Sequence, residues 1–261
     1  YDVYILKRAN AEHSYRPDVL AKAKARLDAM SDEEKVLLEK NIIAGLPGGE
    51  GSYDREGIRA AIDLFIKMGD EGMRANLFAF LREVIPVAEE AGVRMAIHPD
   101  DPPFSLFGLP RVVSTADDAR ALLNAIPSPA NGLTLCAGSY GARCDNDLVA
   151  MAREFGERIY FVHLRNIKRE EDGSFFESDH LDGDNDMVGL IEALLEEEDR
   201  RKQAGINLPA IAMRPDHGHL MGDEIGKTGI NPGYSYAGRM KGLAELRGVI
   251  HALTSLRRRT A

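Results

Sequence analysis

The chain is poor in cysteine, long apolar runs and basic charge, and each shortage removes a class of protein. Two cysteines, Cys136 and Cys144, among 261 residues cannot build a disulfide framework, so a reducing cytoplasm is the expected compartment. No apolar stretch approaches the roughly 20 residues that cross a bilayer, and no signal-peptide pattern opens the chain. A formal net charge of -9 argues against nucleic acid, whose phosphates seek a basic face. The basic run 257–259 is too short to reverse that balance and reads as a helix end that complements its own dipole. Nothing repeats at a solenoid period, and no strand-to-helix turn carries G-x-G-x-x-G. The glycine-rich stretch from Leu46 to Gly51 lacks a following Gly-Lys-Ser/Thr and reads as a turn, not a phosphate loop. The length and the lack of a low-complexity linker leave a single soluble domain over residues 1–261 with a small-molecule partner.

What is present is a rhythm of short apolar runs, each ending in a crowd of reactive side chains. The run 1–6 reads as a strand already under way, without an initial Met, so an N-terminal portion is expected to be missing. A polar loop follows over 10–14, then a helix opened by Pro17. Ser31 and Glu34 have the spacing of a capping box. Helices are expected over 55–68, ended by Gly69, and over 73–91, kinked at Pro86 and stopped by Gly92. From there strands over 93–97, 133–135, 159–162 and 210–213 alternate with helices over 117–126, 148–155, 187–204 and 236–256, with an acidic loop between the third strand and Asp186. Four strand–loop–helix units in succession predict a parallel α/β fold.

Each of the four strands presents a metal-capable side chain at its carboxyl end: His98, Cys136, His163 and Asp216. In a TIM (β/α)8 barrel those ends converge on one face, where active sites are built. Two imidazoles, a thiolate and a carboxylate suit a divalent transition metal. Softness favours Zn²⁺, and mixed N/O character admits Mn²⁺ and Fe²⁺. Arg165 and Arg214 each lie within two residues of a proposed ligand, and arginine forks bind carboxylates, which predicts an acidic small molecule. His217 and Tyr234 are the proton-transfer candidates. The competing readings are structural: a lone histidine at a strand end is usually satisfied locally, a free cysteine such as Cys136 usually packs as a small hydrophobe, and arginines form surface ion pairs. Cys144 takes the structural reading. His180 and His219 stand beside the site or are merely polar, and Asp100 and Asp101 either orient ligands or cap the next element. The helix over 70–91 is a candidate homodimer surface, set against the plainer reading of its apolar stripe as core.

The runs His98-Pro99-Asp100-Asp101-Pro102-Pro103, Cys136-Ala137-Gly138-Ser139-Tyr140-Gly141, His163-Leu164-Arg165, Arg214-Pro215-Asp216-His217-Gly218-His219 and Asn231-Pro232-Gly233-Tyr234-Ser235 resemble the mannonate dehydratases. The segments 41–48 and 242–245 extend the resemblance over essentially the whole chain. It implies a xylose-isomerase-like barrel, Mn²⁺ as the usual metal with Fe²⁺ as a substitute, and β-elimination of water from D-mannonate to 2-keto-3-deoxy-D-gluconate in hexuronate breakdown. Carried over motif by motif, His98, Cys136, His163 and Asp216 are metal ligands, His217 and Tyr234 do acid–base work, and Arg214 and Arg165 bind substrate. The family has roughly a further third of barrel before the segment that begins here, so the chain is expected to be the C-terminal two-thirds. Two rivals stand beside this reading: a sugar isomerase or epimerase on the same barrel, and a non-catalytic, truncated metal-binding remnant.

Overall fold

The computed structural model describes residues 1–45, 54–231 and 233–260. The glycine-rich turn read at 46–51 and Pro232 of the Asn231–Ser235 motif lie outside them. Contacts divide the chain into two compact units, Tyr1–Arg74 with Ser105–Arg111, and Ala75–Phe104 with Val112–Ala261.

The first unit is helical. Pro17 opens α1 (Pro17–Ala29) from the first turn, where its missing N–H costs nothing. Ser31 starts α2 (Asp32–Gly45) as a capping box: Glu34 N–H donates to Ser31 Oγ at 3.2 Å, and Ser31 N–H donates to the Glu34 carboxylate at 2.8 Å. α3 (Arg55–Glu90), which belongs to this unit up to Arg74, carries one non-helical residue, Gly69, at φ 66° and ψ 177°, where the sequence predicts the end of a helix. Pro86 keeps helical angles, so the backbone break falls at the glycine and not at the proline. Leu6, Ile58 and Ile62 form this unit's core, with Tyr1, Ile43, Phe107 and Leu109 against it.

The run expected as an opening strand is a single π-helical turn, Asp2–Leu6, closed by Leu6 N–H donating to Tyr1 O at 2.8 Å. Six residues of mixed apolar and polar character fit either period, and tertiary contacts decide. Here Asp2 is buried and must be satisfied: Arg8 donates to it at 2.7 and 2.9 Å and the Tyr15 hydroxyl at 2.8 Å. An extended chain would point successive side chains to opposite faces, whereas the turn lets Asp2 face Arg8 and Tyr15 while Leu6 enters the core.

The second unit holds the sheet. Its strands are β1 (Met95–Ile97), β2 (Asn131–Cys136), β3 (Ile159–His163), a hairpin of β4 (Ile167–Arg169) and β5 (Phe175–Glu177), and β6 (Ala212–Arg214). β1, β2, β3 and β6 pair in that order, all parallel, with Cys136 opposite His163 and His163 opposite Arg214. This is the parallel α/β class read from the sequence, present among the described residues as a four-stranded sheet. Every residue of β2 is buried, while β1 and β6 are the partly exposed outer strands. Leu133, Leu135, Ile159, Val162, Leu190, Ile191 and Leu194 make the core beneath it, each stabilising the fold by about 1.5–3 kcal/mol relative to an exposed side chain.

Three helices of this unit start at side-chain caps. Thr115 and Asp118 form a capping box for α4 (Ala116–Ala125). A short α5 (Ala137–Tyr140) follows β2 directly. Asp147 caps α6 (Leu148–Phe155), and Asp186 caps α7 (Met187–Gln203). α7 packs against α6 and against α8 (Tyr236–Thr260). Gly92 and Gly205, both at positive φ, end α3 and α7: Val93 N–H reaches Ala88 O, and Ile206 N–H reaches Arg201 O. The acidic loop expected before Asp186 instead contains the β4–β5 hairpin, turned at Asp172-Gly173 with Gly173 at φ 91°. No helix among the described residues is long and apolar enough to cross a membrane.

Candidate metal and acid–base site

Parallel strands bring their carboxyl ends to one edge, and three proposed ligands meet there. His98, Cys136 and His163 offer donor atoms that all lie within 4.8 Å of one another. Their surroundings prepare them to ligate. His98 Nδ1 is 2.7 Å from Pro99 O, an acceptor only, so the proton sits on Nδ1 and the Nε2 lone pair faces His163 Nδ1 at 3.2 Å. Ser139 Oγ donates to the buried Cys136 Sγ at 3.2 Å. Asp216 joins through His163, with its Oδ2 3.4 Å from His163 Nδ1. Burial raises the proton affinity of the Asp216 carboxyl. The Arg214 hydrogen bond and the neighbouring His163, His217 and Arg214 charges outweigh burial and hold its pKa below the usual value. Two imidazoles, a sulfur and an ionised carboxylate fit a divalent metal.

The turn after β6 is shaped to deliver Asp216. Its backbone lies at φ 66°, a conformation that Asp tolerates better than most residues and that ordered surroundings must hold. Part of that support is His180, buried, whose Nε2 donates to Pro215 O at 3.0 Å. The His180 ring fits because α8 presents a glycine: a Cβ on Gly242 would stand 2.2 Å from His180 Cε1. Past Asp216, His217 Nε2 lies 3.8 Å from Asp216 Oδ2, and the His217 and Tyr234 rings stand 5.1 Å apart. Gly218 bridges to Tyr234 and its N–H donates to Gly233 O at 2.8 Å, which ties the two proton-transfer candidates together. Arg214 pairs with Asp216, lies over the Phe161 ring and is half-exposed; His219 is exposed.

Arg165 is placed differently from Arg214. It is buried, with Nη1 2.5 Å from Asp101 and Nε 2.8 Å from Glu177. It lies across α5 because residue 138 has no side chain: a Cβ there would stand 2.3 Å from Arg165 Cδ. The run Cys136–Gly141 thus has a local reason at most positions. Cys136 is a donor, Gly138 makes room for Arg165, and Ser139 bonds the sulfur. Tyr140 is fully buried, and burial pushes its phenol up, which keeps it neutral. A Cβ on Gly141 would collide with Asn185. Asp100 braces the loop before α4, accepting from Val113 N–H at 2.8 Å and Ser114 Oγ at 2.9 Å, while Asp101 holds Arg165.

Residue-by-residue reading of the chain overlooked Glu177. Its Oε1 is 2.7 Å from His217 Nδ1 and 2.8 Å from Arg165 Nε. It also overlooked Asn166, which donates to His180 O at 2.9 Å and accepts from Ile167 N–H, bracing the hairpin against the end of β3. The available signal was Asp172-Gly173, a hairpin turn dipeptide followed by Phe175-Phe176-Glu177, an apolar strand ending in a carboxylate.

Comparison with known proteins gives a consistent set of likenesses. The family profile described as D-mannonate dehydratase (UxuA) matches residues 9–260. A protein from Saccharophagus degradans named mannonate dehydratase is 72% identical over 261 residues, which cover 100% of this chain and 66% of that one. Mannonate dehydratase 2 from Agrobacterium fabrum is 61% identical over 261 residues, covering 99% of this chain and 65% of its own length. The crystal structure of mannonate dehydratase from Streptococcus suis serotype 2 superposes with a TM-score of 0.67 at 34% identity, covering 76% of this chain and 54% of that chain. The chain therefore spans about two-thirds of the length of the curated relatives it matches.

Proposed function

Since the chain belongs to the D-mannonate dehydratase family, we propose that it performs that family's reaction, loss of water from D-mannonate to give 2-keto-3-deoxy-D-gluconate. The observation that carries this reading is a cluster of nitrogen, sulfur and carboxylate donors from four strand ends, with a histidine–tyrosine pair directly beside it. A hydro-lyase acting on a sugar acid needs a place for the acid, a base for the proton beside the carboxylate, and an acid for the leaving hydroxyl.

His98, Cys136, His163 and Asp216 are assigned as the ligands of a divalent metal, Mn²⁺ first and Fe²⁺ second. When bound, the metal supplies Lewis acidity to substrate oxygens. The chain's own residues do the rest. Arg214, half-exposed beside Asp216, receives the substrate carboxylate. Arg165 is buried with its charge paired to Asp101 and Glu177, so it serves the site by holding those two side chains. His217 and Tyr234 share the proton transfers: one takes the proton from the carbon bearing the carboxylate, and the other returns a proton to the departing hydroxyl. Proton and hydroxide leave together as water, and the enol left behind tautomerises to the 2-keto acid. A thiolate ligand survives in a reducing compartment, which supports a cytoplasmic location for Cys136 and the exposed, unpaired Cys144. On α3, Phe80 and Val87 are exposed apolar side chains. A homodimer would cover them, and light scattering reads the mass.

Turnover tests the assignment. Metal-stripped protein given D-mannonate should form no 2-keto acid, and added Mn²⁺ should restore it. Isomerised sugar acid without loss of water would overturn the dehydratase reading in favour of an isomerase. No reaction by protein with bound Mn²⁺ would overturn it in favour of a binding role.

A further inference from the structure

The chain of charged contacts Asp101–Arg165–Glu177–His217, with Arg165 buried and Glu177 and His217 partly buried, links the loop after β1, the end of β3, the β4–β5 hairpin and the turn after β6. We propose that Glu177 is a positioning residue that fixes the tautomer and ring orientation of His217, and that Arg165 serves this purpose by neutralising and anchoring Glu177. This rests on the acid–base role given to His217 above.

The chemistry follows from donor and acceptor inventories. An ionised carboxylate only accepts hydrogen bonds, so the 2.7 Å contact between Glu177 Oε1 and His217 Nδ1 places the proton on Nδ1. Nε2 then carries the lone pair, on the ring edge that lies 3.8 Å from the Asp216 carboxylate and so beside the metal donors. A histidine that takes or gives a proton at substrate must present one defined nitrogen there, and the partner of its other nitrogen makes that choice. An unpartnered imidazole favours the opposite tautomer, with the proton on Nε2.

Glu177 in turn is over-determined. It closes β5, opposite Ile167 in the hairpin ladder, and Ser178 N–H donates to Asn166 O at 3.1 Å immediately before β4. Its Oε1 also faces Arg165 Nε at 2.8 Å. Arg165 cannot swing away, because Asp101 holds its Nη1 at 2.5 Å and the missing side chain at Gly138 gives it a fitted bed. The hairpin is therefore the element that sets His217, although it contributes no metal donor.

Two readouts separate this role from a merely structural one. Multiple-bond ¹⁵N–¹H spectra of metal-free protein with ¹⁵N-labelled histidine report the tautomer, with His217 signals assigned by their loss in His217→Asn. Wild type should show Nδ1–H. Glu177→Ala should shift His217 to Nε2–H and, in Mn²⁺-loaded protein, lower kcat about 100-fold with unchanged KM for D-mannonate and unchanged bound Mn²⁺. Glu177→Gln, whose amide oxygen still accepts from Nδ1–H, should keep the tautomer and recover part of kcat. An unchanged tautomer in folded Glu177→Ala, or KM and metal content failing together with kcat, overturns the proposal. If circular dichroism shows Glu177→Ala unfolded, Glu177→Gln decides: Nε2–H with full kcat overturns it, and Nδ1–H with reduced kcat supports it. Wild type that lacks dehydratase turnover would overturn the proposed function, while the tautomer spectra would still report on Glu177.

Discussion

Asp216 and His217 are neighbours in sequence with different work, and single substitutions should separate them. Asp216 is buried, held at φ 66° and aimed at His163, which supports its proposed place in the donor set. His217 points one ring edge at Glu177 and stands beside Tyr234, which supports its proposed part in proton transfer. His217→Asn should keep its metal by elemental analysis while turnover falls by about 100-fold or more; Asp216→Ala should lose both. Metal loss in His217→Asn would move that residue into the donor set. A second residue-scale expectation concerns Gly138, where an added methyl meets Arg165 at 2.3 Å. Because Asp101 and Glu177 hold that side chain, Gly138→Ala should cost about 1–3 kcal/mol of stability, read as a lower urea midpoint. An unchanged midpoint would show that Arg165 moves freely.

Among the elements, α7 carries the clearest pH dependence. Glu197 is buried, and Arg200 donates to it at 2.6 and 2.9 Å and Arg201 at 2.7 Å. Arg201 also reaches Gly156 O and Ile159 O, so this pair pins α7 to the start of β3. Burial raises the proton affinity of Glu197, but the hydrogen bonds and charges of Arg200 and Arg201 outweigh it and hold the carboxyl below its ordinary value of 4.5. A carboxyl depressed on folding binds fewer protons in the folded than in the unfolded state. Its contribution is therefore complete above about pH 4.5 and lost as pH falls through the folded value. The melting temperature should drop over that acid range, and Glu197→Gln should flatten the drop. At neutral pH, Glu197→Ala leaves Arg201 buried without its carboxylate and should cost about 3–5 kcal/mol.

At the scale of the whole molecule, the proposed metal donors come from four separate strand ends and meet only in the folded chain. Binding there is linked to stability: a metal at 100 times its dissociation constant adds about 2.7 kcal/mol if the unfolded chain does not compete for it. Added Mn²⁺ should raise the melting temperature of metal-free protein, and Cys136→Ser should reduce that rise. An equal rise in Cys136→Ser would place the ion elsewhere.

Much of the arrangement was determined locally and could be read from sequence. Pro17 and the Ser31–Glu34 box set helix starts because caps act within one turn. The apolar runs that became β1, β2, β3 and β6 each ended at the residue that joins the site, because a parallel sheet brings those ends together whatever lies between them. Tertiary structure alone decided which atoms meet. The run Asp2–Leu6 became a π-turn because burying Asp2 required Arg8 and Tyr15 on one side. Arg165 went to Asp101 and Glu177, residues 64 positions before and 12 after it, and Glu177 to His217, 40 positions on. Periodicity and capping are written in neighbouring residues because they express backbone hydrogen bonding. The pairing of a carboxylate with a distant imidazole expresses where the hairpin lies in space, and only the folded chain determines that.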